Sequence, residues 1–340
     1  MILNPLSDKN TGEGMHLLRA ESPGIMASKL VPRMKDSAKI LYLIYIALTV
    51  LEAVLLLLGG MPVFDTVCLT FGTAGTGGFG VLNDSVASYS PYCQWVITVF
   101  MLLFGVNFNV YFLLLVRKFK KALKNEELIA FASIVAVSIA VISVNIFRQC
   151  FGVEDTLRKA AFQVASIIST TGFTTVDFDQ WPQLSRTILV ALMFCGACAG
   201  STGGGAKVIR IIISFKSARR SVYKVMHPNS VRIIHVDGER VSTETAGAVS
   251  AYMLVYFIVT AVAILLISLD GMSFETNFTA VVACLNNIGP GLGGVGPMEN
   301  YSAFSWLSKL ILTLSMLIGR LEIYPILLIF TPTVWRKIQR

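Results

Sequence analysis

The amino-acid sequence predicts an all-α integral membrane protein, in which a unit of long helix, half-length pore helix, glycine turn and long helix occurs three times in tandem. Two observations indicate this class. Hydrophobic residues make up 54% of the 340 residues and charged residues only 14%, whereas soluble domains carry about 25% charged residues. Long apolar runs alternate along the chain with apolar stretches too short to cross a bilayer. We expect the three units to surround a central pore.

Six apolar runs are long enough to span a membrane as helices, which takes about 20 residues. They cover approximately 38–60, 93–116, 128–147, 183–213, 246–269 and 303–330. Residues 1–37 are polar and contain no apolar segment of the kind found in a cleaved signal peptide. The expected units are a cytoplasmic segment at 1–37, a pore repeat at 38–126, a pore repeat with a cytoplasmic linker at 127–245, and a last pore repeat with the C-terminal tail at 246–340.

Basic residues lie on one side of the predicted spans. Lys and Arg cluster at 29–35, 117–124, 207–240 and 336–340, whereas 61–92 and 271–302 contain acidic residues and neither Lys nor Arg. The positive-inside rule then places both termini and the connections between repeats in the cytoplasm, and the glycine turns toward the outside. This pattern indicates a lipid bilayer and argues against a nucleic-acid partner, for which one basic face is expected. The basic loops are either docking surfaces or plain determinants of topology.

Each pore helix leads into a short turn that contains glycine. The predicted pore helices cover 63–74, 155–168 and 274–285, and the turns 75–79, 169–173 and 286–290 follow them. A helix that points its C-terminus into the membrane brings about half a negative charge there, and carbonyl groups of the following turn can replace the water around a cation. We expect Phe79 and Phe173 to wedge the turns against their neighbours. The alternative, that these are ordinary polar turns, explains three matching copies poorly.

The run at 183–213 is interrupted by the glycines 196, 200, 203, 204 and 205. A regular helix does not hold them well, because each costs about 1 kcal/mol relative to alanine. We expect the segment to be unwound and to line a water-filled cavity below the turns. A nucleotide-binding P-loop is a poor match, because Ala206 stands where that motif requires lysine. Cys195 and Cys198 form one CxxC without a nearby histidine, which is a weak signal for a metal.

Arg320 lies deep within the last apolar run. A charged side chain in that position costs about 2.5–3.5 kcal/mol on insertion scales, so it is expected to face protein or water. We expect its guanidinium to bind carbonyl groups of the unwound segment and to oppose a cation there. The alternative is a structural ion pair with Glu52 or Glu322, of which Glu52 fits better because Glu322 points to another side of the helix.

Five segments together resemble a known family. They are 14–24 (GMHLLRAESPG), 73–79 (TAGTGGF), 169–174 (STTGFT), 200–205 (GSTGGG) and 286–291 (NNIGPG). They are similar to the Trk/Ktr/HKT superfamily of potassium transporters, and most closely to its TrkH-type membrane subunits. The resemblance covers nearly the whole chain.

This resemblance implies potassium uptake by a multi-pass protein of the inner (cytoplasmic) membrane, with K⁺ as the transported ion and no cofactor. It implies a filter of backbone carbonyls in which three glycines set selectivity, formed by Thr76, Gly77, Gly78, Thr170, Thr171, Gly172, Asn287, Ile288 and Gly289. It implies gating by an intramembrane loop and an arginine, with Gly196, Gly200, Gly203, Gly204, Gly205 and Arg320 as the residues involved. Expected partners are a cytoplasmic nucleotide-binding regulatory subunit and a second copy of the chain, and uptake is either passive or gradient-driven, as in symport.

The chain departs from the family in one respect. Members carry four such repeats, and three are visible here, so the first filter turn and its helices are missing. Two explanations account for the missing repeat. The chain is a truncated, non-conducting fragment, or a separate chain supplies the missing quarter, and of these two we favour the fragment. A Na⁺-permeable member is a further alternative, although glycine at all three positions favours K⁺. A membrane-embedded enzyme is a poor explanation, because the three His residues lie outside the spans and no span contains an acidic pair.

Overall fold

The computed structural model describes residues 34–230 and 233–321. Its α-helices are α1 (Met34–Leu58), α2 (Val63–Ala74), α3 (Pro91–Gly105), α4 (Phe108–Leu115), α5 (Phe119–Leu123), α6 (Glu126–Ile146), α7 (Val153–Ile168), α8 (Gln183–Cys195), α9 (Val208–Met226), α10 (Thr243–Ile267), α11 (Phe274–Leu285) and α12 (Trp306–Arg320). The strands β1 (Ile234–Val236) and β2 (Glu239–Val241) form one antiparallel hairpin. The predicted all-α class is confirmed.

Three half-length helices lie where the sequence predicts pore helices. They are α2, α7 and α11, and α7 begins two residues earlier than expected. Each packs against long helices of its own repeat: α2 against α1 and α3, α7 against α6 and α8, and α11 against α10 and α12. The middle pore helix α7 also packs against α3 of the preceding repeat. The unit of long helix, pore helix and long helix therefore recurs as expected, while the residue boundaries of the repeats stay a prediction.

Serine and asparagine caps fix where several helices begin. The side chains of Ser90, Asn125, Ser242, Ser273 and Ser305 accept hydrogen bonds from backbone N–H groups in the first turns of α3, α6, α10, α11 and α12. Such caps satisfy N–H groups that have no partner within the helix. The pore helix α11 and the long helix after it therefore both start at positions that the sequence specifies locally.

The second predicted span is not one helix, which corrects the prediction of a continuous run at 93–116. It consists of α3 and α4, which meet at an angle of 91°. The bend is held by the unwound segment: the Phe108 amide donates to the Gly200 carbonyl (3.1 Å), and the Cys198 amide donates to the Gly105 carbonyl (3.0 Å). A straight helix would need these backbone groups for its own ladder. Apolar periodicity could not reveal the bend, because both halves are equally apolar.

The long apolar helices agree with the predicted spans only in part. Lys39–Leu58, Glu126–Gln149 and Thr243–Asp270 are each long and apolar enough to cross a membrane, and the bent pair α3 and α4 meets the same test together. The fourth run is broken as predicted, with α8 ending at Cys195 and α9 continuing from Val208 well past residue 213. Of the last run, the structure describes residues up to 321, so residues 322–330 lie outside the described part.

The connection between α9 and α10 forms a β-hairpin. Strands β1 and β2 pair through Ile234 with Val241 and Val236 with Glu239. Asp237, in the turn between them, accepts hydrogen bonds from the Glu126 amide (2.6 Å) and from the Asn125 side chain (2.7 Å). The hairpin therefore covers the first turn of α6.

Candidate functional site

The three glycine turns share one backbone conformation. Their second residues, Thr76, Thr170 and Asn287, all have positive φ angles of 49°, 60° and 56°. Their fourth residues, Gly78, Gly172 and Gly289, have φ angles of 66°, 88° and 105°. Left-handed backbone is rare for threonine, so its recurrence at equivalent positions shows that the surrounding structure imposes it.

Hydrogen bonds in each turn lead back to its own pore helix. Three amides each donate to the carbonyl five residues earlier: Gly77 to Gly72 (2.7 Å), Thr171 to Ser166 (2.9 Å) and Ile288 to Ala283 (2.9 Å). By contrast, the carbonyl oxygens of Gly77, Thr171 and Ile288 accept no hydrogen bond from the described residues. The acceptor capacity of these three oxygens is therefore unused by the described residues.

Neighbouring turns contact each other in the order of the repeats. A methyl group built on Gly78 would overlap the carbonyl oxygen of Thr171, and one built on Gly172 would overlap the carbonyl oxygen of Ile288. Glycine at these two positions is therefore required by space as well as by φ. A methyl group on Gly289 would meet no described atom within 4 Å. The first turn thus lies against the second and the second against the third, while the far side of the third turn is open among the described residues.

The two phenylalanines that follow the turns differ in their surroundings. Phe173 is fully buried, and its ring lies against Gly72 in the pore helix of the preceding repeat. Phe79 is 79% exposed in the described structure. The expectation that both rings wedge their turns against a neighbour is therefore correct for Phe173 and wrong for Phe79, next to which no described repeat stands.

The unwound segment between α8 and α9 lies directly beneath the turns. The Thr76 hydroxyl donates to the Thr202 carbonyl (3.0 Å), and the Gly204 amide donates to the Thr170 hydroxyl (2.6 Å). A methyl group on Gly203 would lie 2.8 Å from the carbonyl oxygen of Ser169, the C-cap residue that follows α7. Contacts this close to the ends of the pore helices explain why the segment contains so few side chains.

The remaining glycines of this segment shape its two ends. Gly196 and Gly205 lie against each other, so that a methyl group on Gly205 would be 2.9 Å from the Gly196 Cα. The carbonyl of Gly200 accepts from the amide of Phe108 at the bend between α3 and α4. Gly196, Gly200 and Gly205 therefore close the segment into a loop and attach it to the first repeat. The structure brings all five predicted gating glycines together, and their role in gating stays a prediction.

Arg320 contacts both the first turn and the unwound segment. Its Nη2 donates to the Gly75 carbonyl (3.1 Å), and its Nη1 donates to the Thr202 carbonyl (3.3 Å) and lies 3.4 Å from the Thr76 hydroxyl. The alternative ion pair with Glu52 is absent, because neither carboxyl oxygen of Glu52 has a hydrogen-bond partner. Glu322 lies outside the described residues. Carbonyl binding by Arg320, as the sequence predicts, is the arrangement found.

Two further residues hold the same region and were missed in the sequence. Glu127 is fully buried, and its carboxylate accepts hydrogen bonds from the Ala199 amide (2.7 Å) and the Asn107 side chain (3.4 Å). Gly319 lets α12 approach α11 so closely that a methyl group there would overlap the Leu285 carbonyl oxygen. Glu127 could have been recognised from the sequence, because it is an acidic residue at the N-terminal end of an apolar run. Gly319 gave no signal, because a lone glycine in a helix has many explanations.

Half-length helices that enter the membrane, turns that meet through backbone carbonyls, and an unwound segment beneath them define a membrane transport protein for ions. Comparison with known proteins identifies the family. The sequence profile of TrkH, described as a cation transport protein, matches residues 5–139 and 128–337. The chain belongs to the TrkH family. This membership confirms the predictions of a transport protein rather than an enzyme and of a TrkH-type membrane subunit.

Individual relatives agree with the family assignment. The chain is 40% identical to the Trk system potassium uptake protein TrkH of Salmonella typhimurium and 39% identical to that of Escherichia coli, over 95% of this chain and 68% of each relative. It is also similar to the crystal structure of the potassium transporter TrkH from Vibrio parahaemolyticus, with a TM-score of 0.82 and 35% identity over 90% of this chain and 66% of that one. The chain thus spans about two thirds of the length of these relatives.

Proposed function

We propose that the chain mediates potassium uptake across the cytoplasmic membrane. The observation that carries the proposal is the chain of contacts from Gly78 to Thr171 and from Gly172 to Ile288. These contacts bring backbone carbonyls of successive repeats next to each other, which is the geometry that replaces the water shell of a monovalent cation. Relatives named as potassium uptake proteins support K⁺ as the ion.

The filter in this proposal consists of the three turns. Its residues are Thr76, Gly77, Gly78, Thr170, Thr171, Gly172, Asn287, Ile288 and Gly289. The ends of α2, α7 and α11 add the negative ends of three helix dipoles below the ion. Glycine at all three selectivity positions favours K⁺ over Na⁺, and a Na⁺-permeable protein is the alternative that ion competition distinguishes.

The unwound segment and Arg320 form the gate in this proposal. The segment closes the space below the turns through Thr202 and Gly204, and the guanidinium of Arg320 holds it there. A positive charge at that place repels a cation that leaves the filter. Opening requires the segment to leave the pore helices, and its glycines lower the cost of that movement because they fit several backbone conformations.

A fourth turn of the same design completes the filter in this proposal. It would stand between the exposed ring of Phe79 and the open side of Gly289. Phe173 shows how such a ring packs when a preceding repeat is present, against a glycine of its pore helix. In this proposal the fourth turn comes from outside the described residues, and a non-conducting fragment of three repeats is the alternative to the conducting protein.

The basic stretches on the proposed cytoplasmic face suggest where partner proteins bind. We place the protein in the inner membrane as a multi-pass homodimer, with a nucleotide-binding regulatory subunit on the basic loops at 117–124 and 207–224. Residues 117–124 contain α5, and residues 208–224 belong to α9, which leads directly out of the unwound segment. A subunit that moves α9 would therefore move the gate. Coupling to a second ion, as in symport, remains compatible with this arrangement.

Potassium uptake in cells that lack their own potassium transporters tests the proposal. Cells that express the chain should grow at low external K⁺, whereas cells that express Gly172→Ala should not, because a methyl group at this position overlaps the Ile288 carbonyl. A matched control is Gly247→Ala, at a helical position where a methyl group meets nothing within 4 Å. Equal growth of cells with the wild-type chain and with an empty vector would overturn the proposal.

A further inference from the structure

We propose that Glu52 is a proton-binding site behind the first filter turn. Glu52 lies in the apolar span Lys39–Leu58 of α1, with none of its surface exposed. Both carboxyl oxygens are buried and have no hydrogen-bond partner. An acidic side chain in this state is unusual, because buried charges in proteins are paired or hydrogen-bonded.

The surroundings of Glu52 exclude a stable carboxylate. Leu48, Leu55 and Leu56 lie three or four residues away, on the same face of α1, and all three pack into apolar clusters with residues of α2 and α3. An ionised carboxyl without a partner is strongly disfavoured in such a place within a membrane. The stable form of Glu52 in the described state is therefore the neutral acid.

The hydroxyl of Thr73 also favours the neutral acid form of Glu52. It is the polar side-chain group that lies next to the Glu52 carboxyl. Its one proton is directed to the Leu69 carbonyl (2.8 Å), so its lone pairs remain as acceptors. A carboxylic acid can donate to them, whereas a carboxylate can only accept. With its own proton engaged, Thr73 can accept from a protonated Glu52, although neither carboxyl oxygen of Glu52 has a hydrogen-bond partner in the described structure.

A stripe of hydroxyl groups leads from this site along the pore helix. Thr66 and Thr70 precede Thr73 by seven and three residues, which places all three on one face of α2. The hydroxyl oxygens of Thr66 and Thr70 are buried and have no hydrogen-bond partner. Hydroxyl groups both donate and accept, so the stripe gives a proton a polar route from the outer end of α2 to Glu52.

Other ionisable groups near α1 do not pair with Glu52. The helices packed against α1 carry Asp65, Cys68, Tyr92, Cys93 and Tyr111. Asp65 accepts from Tyr89 (2.9 Å), and Tyr111 donates to the Leu103 carbonyl (2.6 Å). On α1 itself, Tyr45 lies in the vicinity of both Glu52 and Arg320. Arg320 is thus the cation that an ionised Glu52 would attract.

This attraction connects the site to the proposed gate, and the connection rests on the proposed function. Arg320 binds the carbonyl of Gly75, two residues beyond Thr73, and the carbonyl of Thr202 in the unwound segment. When Glu52 releases its proton to water, one negative charge remains beside the end of α2. It draws Arg320 away from Thr202 and frees the segment, so cation flux should rise with pH.

Infrared spectroscopy of the purified protein tests the proton site without any transport. The wild-type protein at neutral pH should show a band of a protonated carboxyl group, and Glu52→Gln should lose it. Glu126→Gln is the control and should keep the band, because Glu126 forms an ion pair with Lys216. Thr73→Val should shift the band to higher frequency, and Thr73→Ser should leave it in place. A band of wild-type intensity in Glu52→Gln would overturn the proposal.

Cation flux into proteoliposomes tests the connection to the gate. Wild-type flux should rise several-fold as the pH increases through the range in which the infrared band disappears, whereas Glu52→Gln should stay at the low level at every pH. An identical pH profile in both proteins would contradict the connection. If neither protein conducts at any pH, the proposed function fails, and the infrared result still decides whether Glu52 binds a proton.

Discussion

The amide of Gly204 donates a 2.6 Å hydrogen bond to the hydroxyl of Thr170. This bond joins the unwound segment to the second glycine turn, over a sequence distance of 34 residues. Thr170 has a positive φ of 60°, so the turn and the segment stabilise each other in conformations that neither adopts readily alone. We therefore expect a change in the segment to alter the second turn.

Removing this acceptor should loosen the segment. Thr170→Val leaves the buried Gly204 amide without a partner, which costs about 1–3 kcal/mol. We expect cation flux in proteoliposomes to increase roughly tenfold, since 1.4 kcal/mol corresponds to a factor of ten in an equilibrium. Thr170→Ser keeps the hydroxyl and should behave like the wild type. Reduced flux in Thr170→Val would show that the bond supports conduction rather than closure.

Arg320 should hold the gate closed. Arg320→Gln removes a cation that donates to the carbonyls of Gly75 and Thr202, and hydrogen bonds to charged groups contribute about 1.5–3 kcal/mol. We expect flux to rise roughly tenfold, with Arg320→Lys intermediate because lysine keeps the charge but not the planar guanidinium. Unchanged flux in Arg320→Gln, measured at equal protein density, would count against the gate.

The two glycines that face neighbouring turns should tolerate substitution less than the third. Gly172→Ala places a methyl group on the Ile288 carbonyl oxygen, whereas Gly289→Ala meets no described atom within 4 Å. Both have positive φ, which costs about 1–2 kcal/mol for a residue with a side chain. We expect thermal unfolding of Gly172→Ala at a clearly lower temperature than that of Gly289→Ala. Equal melting temperatures would mean that the turns are not in contact.

Glu127 should position the unwound segment through the Ala199 amide. Glu127→Ala leaves that amide and the Asn107 side chain without their acceptor and opens a cavity, so we expect a loss of about 2–4 kcal/mol in stability. Glu127→Gln keeps one acceptor oxygen and should lose less. Thermal unfolding measures both losses, and increased flux in Glu127→Ala would show that the segment has also been released. Equal unfolding temperatures for the two variants would contradict this role.

The elements of the repeats could be predicted because they depend on local sequence. Low charge content and apolar run lengths indicated the membrane class, and the interruptions at Gly75, Gly172 and Gly289 marked the turns. The contact of Arg320 with carbonyls could also be predicted, since a charge in that position has few alternatives.

The features that depend on contacts between repeats could not be predicted. The bend between α3 and α4 arises from hydrogen bonds to Gly200, which is about 95 residues further along the chain. The different burial of Phe79 and Phe173 depends on which repeat stands before each of them. The role of Gly319 requires the Leu285 carbonyl on another helix. Each of these features is set by tertiary packing, which apolar periodicity does not encode.

The central claim is that backbone carbonyls of successive turns coordinate a dehydrated monovalent cation. Ion competition in proteoliposomes measures this most directly, with Rb⁺ uptake recorded against external K⁺ or Na⁺ for the wild-type chain and for Gly172→Ala. We predict that K⁺ blocks Rb⁺ uptake, that Na⁺ at the same concentration does not, and that Gly172→Ala abolishes the uptake. Equal competition by K⁺ and Na⁺, or full Rb⁺ uptake by Gly172→Ala, would contradict the claim.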